Sequence, residues 1–171
     1  PVAAAQAPVQ DSRWEAPNVA ILAEGTEAET PCWILTAVET GPTVMIVGGM
    51  HGNEPSGAAA AEQITSWSIG RGQLVIVPRA NVLALGAKQR RTPGKLGDEG
   101  DLNRHFPKEG GPSAGIATAL WGLLETHEPD WVVDLHEGFD FHRTNPKSVG
   151  SSIIHCADER AEELALKLIA A

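Results

Sequence analysis

The chain has 171 residues, of which 42% are hydrophobic, and 22 acidic against 13 basic side chains leave a formal net charge of −9. That length suffices for one domain with a sizeable core. The acidic balance, with no lysine/arginine cluster interleaved with aromatics, argues against a nucleic-acid surface. No apolar run approaches the ~20 residues of a membrane span.

Residues 1–12 read as a flexible N-terminal segment. Its start, Pro1-Val2-Ala3-Ala4-Ala5-Gln6-Ala7, fits either the remnant of a cleavage site or an alanine-rich end. Residues 13–171 read as a single α/β domain. Strands are expected at Val19–Ala23, Cys32–Val38 and Thr43–Gly48, where β-branched and bulky residues run together. A helix follows from Pro55 to about Trp67, then a strand at Gln73–Pro78. From Gly86 to Gly111 the chain is polar and aperiodic, and structureless loops of that length usually carry function. A second helix is expected from Ser113 to about His127, with Ile116, Leu120, Leu123 and Leu124 at helical spacing, Ser113 as N-cap and Pro129 as stop. Strands at Trp131–Leu135 and Ser152–His155 and a helix from Asp158 onward complete the pattern. The last helix stops at Ala170-Ala171 without glycine, proline or polar tail, which reads as a domain cut short at its C-terminal end.

Strands alternating with helical patterns predict an α/β fold with helices on both faces of a central sheet. Short turns between the early strands favour antiparallel pairing there, hence a mixed sheet. Cys32 and Cys156 lie far apart without metal-ligand spacing and read as buried free thiols.

The chemistry concentrates at strand ends. Gly48-Gly49-Met50-His51-Gly52-Asn53-Glu54-Pro55 follows one apolar run and opens a helix. The glycines let the backbone turn sharply, and Pro55 suits a first helical turn. His51 and Glu54 are thereby presented where open α/β sheets place their sites. On its own, a Glu at a helix start is as well explained by the macrodipole. His136, in Trp131-Val132-Val133-Asp134-Leu135-His136-Glu137-Gly138, ends another apolar run and supplies the third donor that a catalytic zinc with one open position needs. In Asp101-Leu102-Asn103-Arg104-His105-Phe106-Pro107, Asn103 and Arg104 can grip a carboxylate. An arginine of Gln89-Arg90-Arg91-Thr92 can polarise a carbonyl, and Asp101 can hold the outer nitrogen of a metal-bound imidazole. His105 adjoins the Asn-Arg pair. His127 and His155, at element ends, read as structural, and His142 is a weaker candidate for substrate contact than Arg143.

Together these motifs resemble the zinc carboxypeptidase-like superfamily, and within it the succinylglutamate desuccinylase/aspartoacylase group. The likeness runs from about Thr43 to His155, and the segment Gly138 to Ser152, with Asp140-Phe141-His142-Arg143, is similar to the desuccinylase-like branch. The resemblance implies a zinc-carboxypeptidase-like fold and one Zn²⁺ held by His51, Glu54 and His136. It further implies Arg90 as the carbonyl-polarising arginine, Asn103 and Arg104 as the grip on the substrate carboxylate, and Asp101 as the support of His51. The implied substrate is a small molecule or short peptide with a free carboxylate, cleaved at the adjacent amide. N-acyl amino acid deacylation is the leading reading; C-terminal peptide trimming and a catalytically incomplete binding domain are the alternatives. The family's general-base glutamate stands well beyond the third ligand. None is assigned here, because Glu137 adjoins a ligand and Glu159, Glu162 and Glu163 belong to the polar face of an amphipathic helix. A dinuclear phosphoesterase would need more aspartate ligands and a Gly-Asp-x-His arrangement, which is missing.

Overall fold

The computed structural model describes residues 15–106, 109–112 and 115–170. The expected N-terminal segment 1–12 and the Ser113 cap lie outside them. The described residues fall into two compact units, one ending at His136 and the other beginning at Glu137.

The first unit is built on five strands: β1 (Asn18–Leu22), β2 (Thr30–Thr36), β3 (Thr43–Gly48), β4 (Gln73–Val77) and β5 (Trp131–Leu135). Their order is β1-β2-β4-β3-β5, with β1–β2 and β2–β4 antiparallel and β4–β3 and β3–β5 parallel. The sheet is therefore mixed, as its turns imply. β2 and β3 are not neighbours, however. The chain leaves β3 through helix α1 (Pro55–Ile64) and returns as β4, which inserts between them. A parallel crossover of this kind needs a helix-length connection, whereas the early hairpin β1–β2 does not.

Alternation along the strands sorts the core into two layers. Met45 and Val47 of β3 and Val75 and Val77 of β4 face one way, with Cys32, and pack on Ala117, Leu120 and Leu123 of helix α4 (Gly115–His127). Ile46, Ile76 and Leu35 face the other way, against Ala61 and Ile64 of α1. Helices thus cover both faces. β4 is the centre of this sandwich, with Val75, Ile76 and Val77 excluded from solvent. Each such side chain contributes about 1.5–3 kcal/mol relative to leaving it in water.

A short helix leads into the polar stretch Gly86–Gly111, and that stretch is itself not structureless. Helix α2 (Val82–Ala87) begins at Asn81, whose side chain accepts from Ala84 N–H, and ends at Lys88 in the left-handed region (φ 53°). A four-residue helix α3 (Gly97–Gly100) and a 3₁₀ turn (Leu102–Arg104) follow. α4 ends where Glu128 turns left-handed (φ 43°), just before Pro129.

One glycine fixes how closely α1 approaches the sheet. A Cβ on Gly57 would lie 2.1 Å from the carbonyl oxygen of Leu135, the last residue of β5. Alanine would gain about 1 kcal/mol of helix propensity, but a backbone clash of this size forces the helix off the strand. Gly57→Ala is expected to destabilise the chain by about 1–3 kcal/mol, measured as a lower urea midpoint. An unchanged or higher midpoint would show that the approach is not tight.

In the second unit, residues 138–150 close on themselves. The Ser148 hydroxyl, fully inside, donates to Asp140 O at 2.9 Å, and His142 Nδ1 lies 2.9 Å from Ser148 O. Helix α5 (Glu159–Ala170) follows, with Ala161 and Ala165 buried and Asp158 accepting from Ala161 N–H. Two expectations fail here. Ser152–His155 forms no strand: all four residues are exposed and none has a ladder partner among the described residues. A β-branched pair, Ile153-Ile154, is not enough without a sheet edge to receive it. His155 accordingly ends no strand and contacts Cys156 O. Cys156 is exposed rather than buried, in contrast to Cys32. No helix among the described residues is long and apolar enough to cross a membrane.

Candidate metal centre

The strand order decides where chemistry can gather. From β3 the chain crosses to β4 on one side, and from β4 it passes back over β3 to β5 on the other. The carboxyl ends of β3 and β5 therefore flank a point of reversal, where open α/β sheets form their crevice. Gly48 pairs in register with Leu135, so the residues just beyond each strand leave the sheet side by side.

His51 and Glu54 lie in the turn between β3 and α1, and His136 follows β5 directly. The turn is held by Ala80 and Asn81, whose amides donate to Gly48 O and Gly49 O. Gly52 allows the end of α2 to close on it: a Cβ there would stand 1.8 Å from Ala84 O. Glu54 occupies the N-cap of α1, but its side chain makes no capping bond. Instead it turns to both imidazoles, which answers the macrodipole explanation of its position. His51 Nδ1 is 2.9 Å from Glu54 Oε1, and His136 Nδ1 is 2.6 Å from Glu54 Oε2. The two rings are tilted by 47° with centroids 4.9 Å apart. One ligand-type atom from each of the three residues falls within 4.8 Å of the others.

The opposite ring nitrogens are also engaged. His51 Nε2 lies 3.0 Å from Asp101 Oδ1, and His136 Nε2 lies 2.8 Å from Asp134 Oδ2. Asp101 is buried and also accepts the Asn103 N–H at 3.1 Å. Arg90 closes the cluster, its Nη1 2.9 Å from Glu54 Oε1 and its Nε 3.6 Å from Asp101 Oδ2.

Electrostatics follow from these contacts. Burial works to raise the Glu54 pKa, but hydrogen bonds and charge from His136 and His51 outweigh it and hold the carboxyl far below its ordinary range. Burial likewise opposes the His51 hydrogen bond at Asp101, and the charges of His51, Arg90 and Arg104 help to leave its pKa lowered. The imidazole of His136 is pushed up to about 10, by the hydrogen bond to Asp134 first and that to Glu54 next, against the effect of burial.

The structure thus brings together His51, Glu54, His136, Asp101 and Arg90. Arg104 is near enough to act on Asp101 through its charge, but its Nη1 donates to Asn103 O and its side chain is exposed. Asn103 is tied to the cluster through its backbone N–H, which Asp101 accepts. His105 Nε2 contacts Glu99 O, and His127 Nδ1 contacts Gln73 Oε1, a structural tie between α4 and β4. Arg143 is exposed within the second unit. Asp134 is the residue that sequence reasoning overlooks. The signal was present: strand alternation puts Asp134 and His136 on the same side of the chain.

The donor set suits a divalent ion of borderline hardness, with two imidazoles, one carboxylate and carboxylates behind each ring. The fold is shared with a metallo-carboxypeptidase from Burkholderia cenocepacia, which superposes with a TM-score of 0.54 over 71% of this chain and 36% of its own, at 18% identity, a likeness of fold alone. More narrowly, residues 40–171 match the succinylglutamate desuccinylase/aspartoacylase catalytic domain, and the chain belongs to that family. An aspartoacylase family protein from Mesorhizobium loti shares 32% identity at a TM-score of 0.55, covering 72% of this chain and 44% of that one. The N-alpha-acetyl-L-2,4-diaminobutyric acid deacetylase of Halomonas elongata is 36% identical over 103 residues, 57% of this chain and 29% of the deacetylase. The chain therefore spans less than half the length of these relatives.

Proposed function

We propose that the chain carries the zinc-binding part of a deacylase that hydrolyses the amide of a small N-acyl amino acid beside its carboxylate. The observation that carries this reading is the convergence of His51, Glu54 and His136, with Arg90 laid against them. His51 and His136 would hold Zn²⁺ through Nδ1, and Glu54 through its carboxylate. Zinc bound there supplies a Lewis acid and a nucleophile at neutral pH.

The remaining roles fall to the chain's own residues. Asp101 keeps the His51 ring oriented by accepting from Nε2. Arg90, beside Glu54 and Asp101, stabilises negative charge growing on the scissile carbonyl oxygen. Arg104 and Asn103 hold the substrate carboxylate and set its distance from the reacting carbon. A net charge of −9 does not oppose an anionic substrate, because local cations outweigh a distant average. The proton acceptor is assigned to none of these residues.

The relative named for N-alpha-acetyl-L-2,4-diaminobutyric acid favours a small acylated amino acid over a peptide. The test is a side-by-side assay of the full-length protein on N-acetyl and N-succinyl amino acids and on peptides with free C-termini. Hydrolysis of the first class alone, lost on dialysis against a chelator and restored by zinc, is the expected result. Peptide trimming alone would move the assignment to a carboxypeptidase. Zinc binding without turnover of either class would favour a binding domain.

A further inference from the structure

We propose that Asp134 is the positioning residue for His136: by accepting the Nε2 hydrogen it fixes the ring so that Nδ1 faces the point shared with His51 and Glu54. The inference rests on reading those three residues as the metal ligands.

His136 is the least confined of the three. It stands just past β5, the terminal strand of the sheet, and a third of its side chain is exposed, against 2% for His51. An imidazole in such a place can turn about χ2 and present either nitrogen. Packing alone cannot choose between them. Asp134 can, because it lies two residues back on the same side of the chain, with Oδ2 2.8 Å from Nε2. With that nitrogen committed to a hydrogen bond, Nδ1 is the atom left for Glu54, 2.6 Å away.

The same construction occurs at the other histidine from an unrelated part of the sequence. His51 turns Nδ1 to Glu54 and Nε2 to Asp101, which arrives from the turn after α3. Two rings from two strand ends thus offer the same atom to one carboxylate, and each has its far nitrogen held by a separate aspartate. An ion pair serving only the end of the strand would not require that match. The two aspartates differ in what else they do. Asp101 is buried and also engages Asn103 and Arg90, so changing it disturbs the loop as well. Among the described residues the Asp134 carboxylate contacts His136 alone, and it is a third exposed. Its removal therefore isolates the orienting role.

The experiment compares the full-length wild-type protein with Asp134→Ala and Asp134→Asn. Zinc affinity is read by competition with a chromophoric chelator, coordination by the visible spectrum of the Co²⁺-loaded protein, and folding by the melting temperature without metal. Asp134→Ala should weaken zinc binding by about 10–100-fold and alter the Co²⁺ spectrum, with the zinc-free melting temperature lowered far less than that of the zinc-loaded protein. Asp134→Asn can accept the same hydrogen through Oδ1 and should recover part of the affinity. Equal affinities in wild type and Asp134→Ala overturn the proposal. So does a zinc-free melting temperature lowered as far as the zinc-loaded one, which would mark a strand-end structural role. His51→Ala and His136→Ala separate this from the parent reading. If they lose zinc while Asp134→Ala keeps it, the orienting role alone fails; if they bind zinc as wild type does, the ligand assignment fails and takes this inference with it.

Discussion

His51→Ala is expected to reduce bound zinc from one ion per chain to a trace and to abolish hydrolysis with it. His51 is 2% exposed and lies between two carboxylates that are themselves largely enclosed, Glu54 and Asp101. Removing the ring deletes a ligand, takes one of the two imidazoles from Glu54, and takes from Asp101 its imidazole partner. Arg90 reaches toward each of them and limits the damage. A loss of about 1–3 kcal/mol of stability should accompany the change, the ordinary penalty for an unsatisfied buried polar group. Because the variant can fail through misfolding, His136→Ala is the companion. That side chain is more open, so the metal should be lost with less effect on the melting temperature. Elemental analysis of both variants decides the matter. Zinc retained at one ion per chain in either would refute the ligand set.

The second large effect is expected at Arg90. Arg90→Ala should lower kcat by about 10²–10³-fold, the usual consequence of removing a group that stabilises an oxyanion. KM should change little if the guanidinium acts on charge that develops only as the bond breaks. Lysine should not restore the rate. Arg90 addresses Glu54 through Nη1 and Asp101 through Nε, and a single ammonium cannot reproduce that spread. Zinc content should stay at the wild-type level, which separates this result from that at His51. A raised KM with kcat intact would instead place Arg90 among the groups that hold substrate in its ground state.

Much of this site is readable before any coordinates. β3, β4 and β5 declare themselves as β-branched runs, and His51, Glu54 and His136 stand immediately past two of them. Sequence periodicity reports local geometry, so it finds strands and the residues at their ends. It does not report which strands are neighbours. The insertion of β4 between β2 and β3 depends on pairings far apart in the chain, such as Ile34 with Val75. α2 escapes sequence reading for a different reason. Its six residues are too few for periodicity to register, although Asn81 is a recognisable cap. Ser152–His155 shows the opposite error, in which composition favours a strand and tertiary structure provides no edge for it. Asp134 sat in view inside an apolar strand. Its meaning depends on which nitrogen of His136 faces inward, and spacing alone does not contain that fact.

The pairing of Gly48 with Leu135 has a consequence for how the chain matures. If β5 docked one residue out of step, His136 would shift by about 3.3 Å and swing to the far side of the sheet. Chelation would then be impossible, since the three donors would no longer converge. An ion held by His51, Glu54 and His136 would consequently reward a single alignment of the two strands, and would act as a proofreader of the sheet's own assembly.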